Sequence, residues 1–372
     1  MARLRRKRPG MRFFSKFILV LNIIAVILLL LSYLASYSDP ATIWIMPFFG
    51  LAYPVFLIIN ILFVIYWLIR LPKLALLSLT VILLGWSVIQ NYIGFREKAS
   101  LPRPKTSDNL IRVMTYNVHN FKQFGDKNDP YTKDEILEII RKEQPDIICF
   151  QEFFSRKSGE YNFKKHIKEI LKTDYYYFKP STDNGYEAMG MAIFSKYPIV
   201  NQGNIQFAKR MNWNEAVYAD LKKDGKIFRV YNVHFQSINF QPEDYQYLQN
   251  VPKKIDTQSS KKIGSRLNQA FIKRSKQVKM IKDHTRSCNV PYIIAGDFND
   301  TPISYTVKTI SNGMNNSFRE KGSGLGVTYN GVFPNFQIDY IFSSPEFNIN
   351  NYQIIHRKLS DHYPVRTDLE LK

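Results

Sequence analysis

Polar residues of a restricted kind follow several short apolar segments in the last two-thirds of the chain. Residues 290–301 read VPYIIAGDFNDT, a strand-like run followed by Asp297 and Asn299. Gly296 is expected to let the backbone turn sharply as it leaves the sheet. A carboxylate and an amide two residues apart can hold a water molecule, a phosphate oxygen or a hard cation in one cleft. An ordinary Asp/Asn turn, closed by hydrogen bonds to the backbone, is the alternative at this position.

The same arrangement recurs elsewhere in the chain. The other segments are MTYNVHN with Asn117, CFQEF with Glu152, YNVHF with His234, IDYIF with Asp339, and LSDHYPV with Asp361 and His362. Each of them alone has a structural explanation, as a strand-end cap, a surface carboxylate, an ion-pair partner or a turn. Six such segments in one domain predict a single convergent site.

The residue types of these segments predict the chemistry of that site. Carboxylates and an amide are the ligands preferred by Mg²⁺, Mn²⁺ or Ca²⁺, and the two cysteines, Cys149 and Cys288, form no metal-binding pair. Histidines beside carboxylates can transfer protons near neutral pH. A cation neutralises phosphate charge, a carboxylate orients water, and imidazoles and amides stabilise the transition state. The segments therefore predict metal-assisted hydrolysis of a phosphoester.

The segments also occur in the order typical of a known family. The series YNV, QE, GMAIFSKYPI, NVH, GDFN, IDYIF and SDHYPV resembles the endonuclease/exonuclease/phosphatase superfamily, which includes pancreatic deoxyribonuclease, abasic-site endonucleases, inositol polyphosphate 5-phosphatases and bacterial sphingomyelinases. The resemblance covers residues 110–371. It implies a deoxyribonuclease I-like fold, a four-layer α/β sandwich with two mixed β-sheets, and a hydrolase that depends on Mg²⁺ or Mn²⁺.

The resemblance also implies roles for individual residues. Asn117 and Glu152 would help to bind the cation, with Asp361 close by. Asp297 would orient or activate the attacking water, and Asn299 would hold a phosphate oxygen.

The histidines complete the implied site. His234 and His362 would contact the scissile phosphate and stabilise the transition state or the leaving group. Asp339 would fix one of these two imidazoles by a hydrogen bond, and the sequence leaves open which one. His119 is as consistent with a structural role as with a functional one and is not assigned to the site. Where many family members have arginine, this chain has Gln337, and it differs again at residues 214–215, so the identity of the substrate is open.

The surrounding pattern predicts the elements that position these residues. Strand-like segments include LIRVMTYNV, DIICFQEF, GMAIFSKYPIV, AVYADL, KIFRVYNVHF, PYIIAGDFN, QIDYIFSS and YPVRTDLEL, and the helical segments are KDEILEIIRKEQ, ended by Pro145, and LNQAFIKRSKQVKMIKDHTR. Hairpins mixed with helices predict a mixed α/β sandwich and not a doubly wound parallel sheet. The polar stretch Gln236–Arg266 is either a basic loop that contacts phosphates or a solvated, partly disordered insertion.

The first quarter of the chain is apolar. Charge-free stretches run over Phe17–Ser38, Pro40–Ile69 and Leu74–Phe95. Each is long enough for a helix rising about 1.5 Å per residue to cross a hydrocarbon layer of about 30 Å. The predicted domains are a basic cytoplasmic N-terminus (1–16), an all-α anchor of three transmembrane helices (17–95), an extended linker (96–107) and a catalytic domain (108–372).

The distribution of basic residues predicts the orientation in the membrane. Basic residues precede the first apolar run, and Arg70 and Lys73 flank the turn between the second and third runs. The positive-inside rule places both groups in the cytoplasm and the catalytic domain outside it, as in an integral protein of a bacterial cell membrane. Arg96 and the basic residues after it argue for the opposite orientation. A cleaved signal peptide ending near Leu34–Ser38 is the alternative to a first transmembrane helix.

Charge indicates the class of substrate. The net charge is +20; residues 1–106 carry 13 basic and 2 acidic residues, and the remainder carries 38 and 29. The basic excess favours a phosphate-bearing partner. We expect a nuclease-like phosphodiesterase (or phosphomonoesterase), with a phospholipid or inositol-phosphate phosphoesterase as the alternative and a non-catalytic, membrane-tethered binding domain as the third interpretation. Its partners would be the substrate and the lipid bilayer, and no protein partner is predicted.

Overall fold

The computed structural model describes residues 13–96, 104–122, 129–208, 213–250, 256–331 and 335–372. Most of the predicted basic N-terminus and residues 97–103 of the predicted linker lie outside these ranges. The helices are α1 (Phe13–Ala35), α2 (Met46–Leu51), α3 (Tyr53–Arg70), α4 (Pro72–Leu84), α5 (Trp86–Tyr92), α6 (Thr132–Glu143), α7 (Phe163–Leu171), α8 (Pro242–Asn250), α9 (Thr257–Arg286), α10 (Tyr305–Ser311) and α11 (Ser317–Lys321).

Two six-stranded sheets form the centre of the C-terminal domain. The strands are β1 (Ile93–Phe95), β2 (Ile111–Asn117), β3 (Ile147–Arg156), β4 (Tyr176–Asp183), β5 (Glu187–Ser195), β6 (Ile199–Ile205), β7 (Ala216–Lys223), β8 (Lys226–His234), β9 (Tyr292–Asp297), β10 (Asn315–Asn316), β11 (Ser323–Leu325), β12 (Asp339–Ser343), β13 (Phe347–Ile354) and β14 (Val365–Leu371). Sheet I has the order β13-β14-β2-β3-β5-β4, and sheet II has the order β10-β12-β9-β8-β7-β6. β2 is parallel to β3 and β8 to β9, and the other pairs are antiparallel.

The strands alternate between two apolar environments, because successive side chains of a strand point to opposite faces. In β8, Phe228 and Val230 pack between the two sheets, whereas Tyr231 and Val233 pack against the helices outside sheet II. α9 and α10 cover that outer face, and α6 and α7 cover the outer face of sheet I. The predicted four-layer α/β sandwich with two mixed sheets is thereby confirmed.

The polar stretch Gln236–Arg266 begins as a loop at residues 236–241 but is helical over most of the rest of its described length, where the sequence predicted a loop. It contains α8 and the first turns of α9. The carboxylate of Asp256 caps α9 by accepting a hydrogen bond of 2.7 Å from the backbone N–H of Ser259. Arg266 lies 3.1 Å from the buried Asp244 of α8, which holds the two helices together. These polar contacts replace the apolar periodicity by which a helix is normally predicted.

The apolar N-terminal region forms a bundle of broken helices. α1 and α3 are each long and apolar enough to cross a membrane, and α4 and α5 make a third crossing if the pair, bent by 61°, counts as one span. Pro54 stands in the first turn of α3, where a proline without an N–H is tolerated. The bend lies at Gly85, and the hydroxyl of Tyr33 donates a hydrogen bond of 3.1 Å to the Val81 carbonyl one turn before it. The Val81 carbonyl also accepts a hydrogen bond of 3.1 Å from the backbone N–H of Gly85, so the ladder of α4 continues up to the bend.

Buried polar side chains connect the three main helices of the bundle. The Asn22 amide donates to the Ser78 hydroxyl at 2.6 Å, which in turn donates to the Asn60 carbonyl oxygen at 2.9 Å. The Trp67 indole donates to Asn22 at 2.9 Å. Interhelical hydrogen bonds of this kind stabilise helix association in an apolar environment. They fix α1, α3 and α4 against one another.

The helical bundle packs directly on the C-terminal domain and is not joined to it by a linker alone. β1 pairs with β11 in an antiparallel ladder, from Ile93 opposite Leu325 to Phe95 opposite Ser323. The Ser36 hydroxyl donates a hydrogen bond of 2.6 Å to the carbonyl of Ile303, whose side chain is buried in the apolar core of the bundle. The helices thus cover the β10 edge of sheet II.

Candidate active site

The strand directions bring the eight predicted site residues to one edge of the sandwich. β2, β8 and β9 end at Asn117, His234 and Asp297. β12 runs antiparallel to β9, so its first residue, Asp339, lies opposite Asp297. β14 runs antiparallel to β2, and the residues just before it therefore reach the same edge. This edge, with Asn117, Glu152, His234, Asp297, Asn299, Asp339, Asp361 and His362, is the candidate site.

The sequence pattern predicts Glu152 at the end of a strand. In the structure it reaches the candidate site from the middle of a strand. β3 continues to Arg156, and its register with β5 shifts between Phe150 and Phe153. Glu152 lies in this bulge with a left-handed backbone (φ 51°). A bulge inserts one residue and redirects its side chain. Sequence alternation alone does not reveal it.

Gly296 does not form the turn that the sequence predicts. It lies within β9, and its φ of 145° is unfavourable for a residue with a side chain. A Cβ atom at this position would lie 2.0 Å from the carbonyl oxygen of Val233 in β8. Glycine therefore allows close approach of the two parallel strands that carry His234 and Asp297.

Asp297 lies at the centre of the candidate site and is 1% exposed. Its Oδ2 accepts hydrogen bonds of 3.2 Å from the side-chain amides of both Asn117 and Asn299. Its Oδ1 accepts a hydrogen bond of 2.8 Å from the backbone N–H of Asn299. The Nε2 atoms of His234 and His362 lie 3.6 and 3.7 Å from Oδ2. Two imidazoles and two amides thus surround one carboxylate.

Asp339 is bonded to His362 and not to His234. Its Oδ2 lies 2.9 Å from Nδ1 of His362, so Nε2 of that imidazole faces Asp297. The backbone N–H of Asp339 donates to the Thr328 hydroxyl at 3.0 Å. Oδ1 of Asp339 is buried and has no hydrogen-bond partner among the residues that the structure describes. The imidazole that the sequence left undecided is therefore identified by geometry.

A second group of polar side chains, which could bind a metal ion, lies on the more open side of Asn117. The Asn117 amide is 3.5 Å from Oε1 of Glu152. His119, which was not assigned to the site, places Nδ1 at 3.5 Å from Glu152 and 3.8 Å from Asp361. The chain turns back there because residues 119–121 all have positive φ, between 43° and 60°. The sequence signal for this histidine is that residues 116–120 (YNVHN) repeat the first four residues of 231–235 (YNVHF), which contain His234.

The charges of the candidate site shift its pKa values in opposite directions. Burial would raise the pKa of Glu152, but the hydrogen bond with His119 and the charges of the nearby histidines lower it to about 2. Burial and the neighbouring Asp339 raise the pKa of Asp297. Burial would lower the pKa of His362, but Asp339, Asp297 and Asp361 raise it well above the usual value. Glu152 is therefore anionic near neutral pH, and the raised pKa values of Asp297 and His362 suit groups that hold a proton.

Two tyrosines lie next to the candidate site. The ring of Tyr329 packs edge-on against His362, with the ring centroids 5.4 Å apart, and its backbone forms an isolated bridge with that residue. Tyr245 of α8 lies beside Tyr329. Aromatic rings at the mouth of a site can stack on a flat substrate group. Neither tyrosine is among the eight predicted site residues, although the aromatic run NFQPEDYQYL, which contains Tyr245, was considered as lining of a nucleic-acid groove.

Comparisons with known proteins agree with this geometry. A family model described as "Endonuclease/Exonuclease/phosphatase family" matches residues 114–362, and one described as "Domain of unknown function (DUF8431)" matches residues 15–92. No curated protein matches the chain.

Two solved structures show the same fold. An endonuclease/exonuclease/phosphatase from Bacteroides vulgatus is 20% identical, with 71% of this chain and 99% of that chain covered and a TM-score of 0.52. One from Beutenbergia cavernae is 18% identical, with 70% and 72% covered and a TM-score of 0.51. At these identities the likeness supports the arrangement of the two mixed sheets.

Proposed function

The chain belongs to the endonuclease/exonuclease/phosphatase family, whose members are hydrolases acting on phosphoester bonds, and we propose that it is a membrane-anchored, divalent-metal-dependent phosphodiesterase with nuclease-like activity. The observation that carries the proposal is the convergence on Asp297, which two amides and two imidazoles approach within 3.7 Å. Such a set of donors around one carboxylate suits an attacking water and a phosphate group.

The proposed cation site is formed by Asn117, Glu152 and Asp361. Glu152 and Asp361 are partly exposed, with 27% and 14% of their side-chain surface accessible, and they offer the hard oxygen ligands that Mg²⁺ or Mn²⁺ prefers. Asp297, Asp339 and His362 also place ligand atoms within 4.8 Å of one another. Because Asp339 and His362 are bonded to each other, we assign the cation to the Glu152 side. The ion would neutralise charge on the substrate phosphate.

The other residues have distinct proposed roles. Asp297 would orient a water molecule for attack and accept its proton, for which a raised pKa is suitable. Asn299 and His234 would hold non-bridging oxygens of the phosphate. His362 would donate a proton at Nε2 to the leaving oxygen or stabilise charge there, while Asp339 fixes its ring through Nδ1.

The helical bundle supports the proposed anchoring and orientation. Ser36, just after the carboxyl end of α1, contacts the catalytic domain, so Lys16 near the amino end lies about 30 Å away at about 1.5 Å per residue. Arg70 and Lys73, at the turn between α3 and α4, also lie at the end away from the domain. With basic residues at that end, the positive-inside rule favours a catalytic domain outside the cytoplasm.

A phospholipid substrate is the second candidate, and one observation favours it. The helices contact the catalytic domain within six residues of Asp297, at Ile303. The candidate site is thus held close to the membrane surface. A basic surface can bind either lipid headgroups or nucleic acid, so the net charge does not distinguish the two substrates.

A substrate panel tests the proposal. The full chain, purified in detergent, is assayed with Mg²⁺ on single- and double-stranded DNA, RNA, phospholipid vesicles and inositol phosphates. We expect hydrolysis that is lost in Asp297→Ala and His362→Ala, while the exposed control Asp174→Ala retains it. If the wild type were as inert as both variants on the whole panel, the non-catalytic binding domain would replace the proposed function.

A further inference from the structure

Exposed aromatic side chains surround the domain-facing end of the helical bundle. Tyr37 and Trp44 follow α1, Trp86 is the first residue of α5, and Phe95 is the last residue of β1; all four are exposed. The rings of Trp86 and Phe95 are stacked, with centroids 5.3 Å apart. Aromatic residues concentrate where a membrane meets water. If the bundle crosses a membrane, as proposed above, these rings mark the level of the lipid headgroups.

A basic cleft lies at the same level. It has a volume of about 650 Å³ and lies between the end of α1, at Ser36 and Tyr37, and the helices α9 and α10 of the catalytic domain. Its charged lining residues are four cations and one carboxylate: Lys279, Lys282, Arg286, Lys308 and Asp283. The cleft is separate from the candidate active site, because α9 ends at the amino end of β9 and Asp297 is at the carboxyl end.

Two cations of the cleft have no acidic partner. Lys279 is paired with Asp39, and the other acid–base pair of the lining joins Arg286 to Asp283. Among the residues that the structure describes, neither Lys282 nor Lys308 has a carboxylate within 4.0 Å.

These two lysines are held in place by weak contacts. The ammonium of Lys308 lies 5.3 Å from the ring centroid of Tyr37, and that of Lys282 donates to the Asn312 carbonyl at 3.4 Å. Burial and the nearby Arg286 lower the pKa of Lys282. Both lysines are carried by helices, so two cations without a carboxylate partner face one cleft.

A second cleft continues from the first towards the helices of the bundle. It has a volume of about 530 Å³ and shares Ser36, Tyr37 and Lys308 with the basic cleft. Its other lining is mostly polar, with Arg96, Arg319 and Glu320 beside Leu84 and Val88 of the bundle. The exposed apolar side chains of the bundle, Leu34 and Leu84 among them, lie next to these clefts. A basic cleft beside an apolar helix surface at the membrane level matches a molecule with an anionic head and an apolar tail. A free phosphate ion would use only the first cavity.

We propose that the basic cleft binds the headgroup phosphate of an anionic phospholipid, with Lys282 and Lys308 contacting the phosphate and the lipid tail lying towards Leu84. The bound lipid would bridge the catalytic domain and the helical bundle. The proposal rests on membrane anchoring and not on the identity of the hydrolysed substrate.

Native mass spectrometry of the full chain in detergent tests the assignment. The protein is titrated with phosphatidylglycerol, phosphatidylcholine and inorganic phosphate. We expect phosphatidylglycerol to bind at least about tenfold more tightly than either of the others. The double variant Lys282→Glu/Lys308→Glu should weaken phosphatidylglycerol binding by about 20-fold or more, since each basic residue near a lipid surface contributes about fivefold.

Matched variants control for charge and folding. Lys165→Glu/Lys172→Glu makes the same charge change on two exposed lysines, one in α7 and one just after it, away from the bundle, and should bind phosphatidylglycerol like the wild type. Lys282→Gln/Lys308→Gln removes the charges without reversing them and should weaken binding by about 20-fold, about fivefold for each lysine. Equal binding of the two lipids, equal binding of inorganic phosphate, or wild-type affinity in both Lys282/Lys308 variants would overturn the proposal.

Hydrolysis by the same proteins separates this proposal from the proposed function. Lys282 and Lys308 are outside the candidate active site, so both variants should hydrolyse a soluble oligonucleotide at the wild-type rate. A wild-type protein that binds phosphatidylglycerol but hydrolyses nothing would refute the phosphodiesterase proposal alone. An active protein without lipid preference would refute the lipid site alone.

Discussion

Replacing Asp339 with asparagine and with alanine separates the charge of this carboxylate from its hydrogen bond to His362. In the wild type, Oδ2 of Asp339 lies 2.9 Å from Nδ1 of His362. Asparagine can offer a neutral oxygen at the same distance, whereas alanine removes the acceptor and leaves a buried imidazole N–H unpaired. A graded loss of activity is therefore expected, with asparagine the milder change.

The magnitudes follow from the kind of hydrogen bond lost. A bond to a charged group contributes about 1.5 to 3 kcal/mol and a neutral one about 0.5 to 1.5 kcal/mol. Asparagine should therefore lower kcat/KM by about 5- to 12-fold and alanine by about 10- to 150-fold, at about 1.4 kcal/mol per factor of ten. The loss should be in kcat more than in KM, because Asp339 acts on substrate only through His362.

The pH profile of kcat/KM gives a second measurement. Asp339 contributes to the raised pKa of His362. If the protonated imidazole is the active form, activity falls as pH rises through that pKa. Removing Asp339 lowers the pKa, so the alkaline loss of activity should begin at a lower pH in both variants.

Asp220→Asn is the matched control. Asp220 is also a buried carboxylate of sheet II, paired with Arg229 at 2.5 Å, but it lies at the far end of the sheet from Asp297. It should leave kcat/KM unchanged. Folded Asp339 variants that keep kcat/KM within about twofold of the wild type would refute the role of Asp339 in positioning His362.

Four further predictions concern other parts of the molecule. Ile303→Ala should lower the free energy of unfolding by about 2 to 5 kcal/mol, because the side chain is buried in the bundle core; thermal unfolding in detergent measures this. Chelation with EDTA should abolish hydrolysis, and Mg²⁺ or Mn²⁺ should restore it in the wild type but not in Glu152→Gln; full activity in EDTA would exclude the cation. His119→Gln should raise the Mg²⁺ concentration for half-maximal activity by about tenfold, because His119 contacts the proposed metal ligand Glu152. An unchanged Mg²⁺ titration would show that His119 does not affect the cation site. In a cysteine-free background, Leu325→Cys should react with a membrane-impermeant thiol reagent on intact cells and Lys73→Cys should not; the reverse pattern would invert the proposed orientation.

The sequence predicted the strands of the catalytic domain well, because strand patterns and short motifs are local features of a sequence. Apolar alternation in segments such as KIFRVYNVHF predicts strands, and β8 has the expected alternation of buried faces. The order of the polar segments was sufficient to identify the family, and the structure brings all eight predicted residues to one edge. Their individual roles remain predictions.

The features that the sequence did not predict depend on contacts between distant residues. The bulge at Glu152 depends on how β3 pairs with β5. The turn at His119 depends on three consecutive residues with positive φ. Hydrophobic alternation predicts neither feature. α8 and the start of α9 are held by polar contacts such as Asp244 to Arg266, which an apolar pattern does not show. Packing of the bundle through Ile303 joins residues far apart in the chain.

The amino-acid sequence by itself determined the class of chemistry, the apolar helices and the two-sheet domain, because residue type and periodicity act over short distances along the chain. Only the tertiary structure decided that Asp339 holds His362, that His119 joins Glu152 and Asp361, and that the helices cover an edge of sheet II. These are choices among several partners of similar chemistry, and the relative directions of the packed strands and helices decide which partner is within reach.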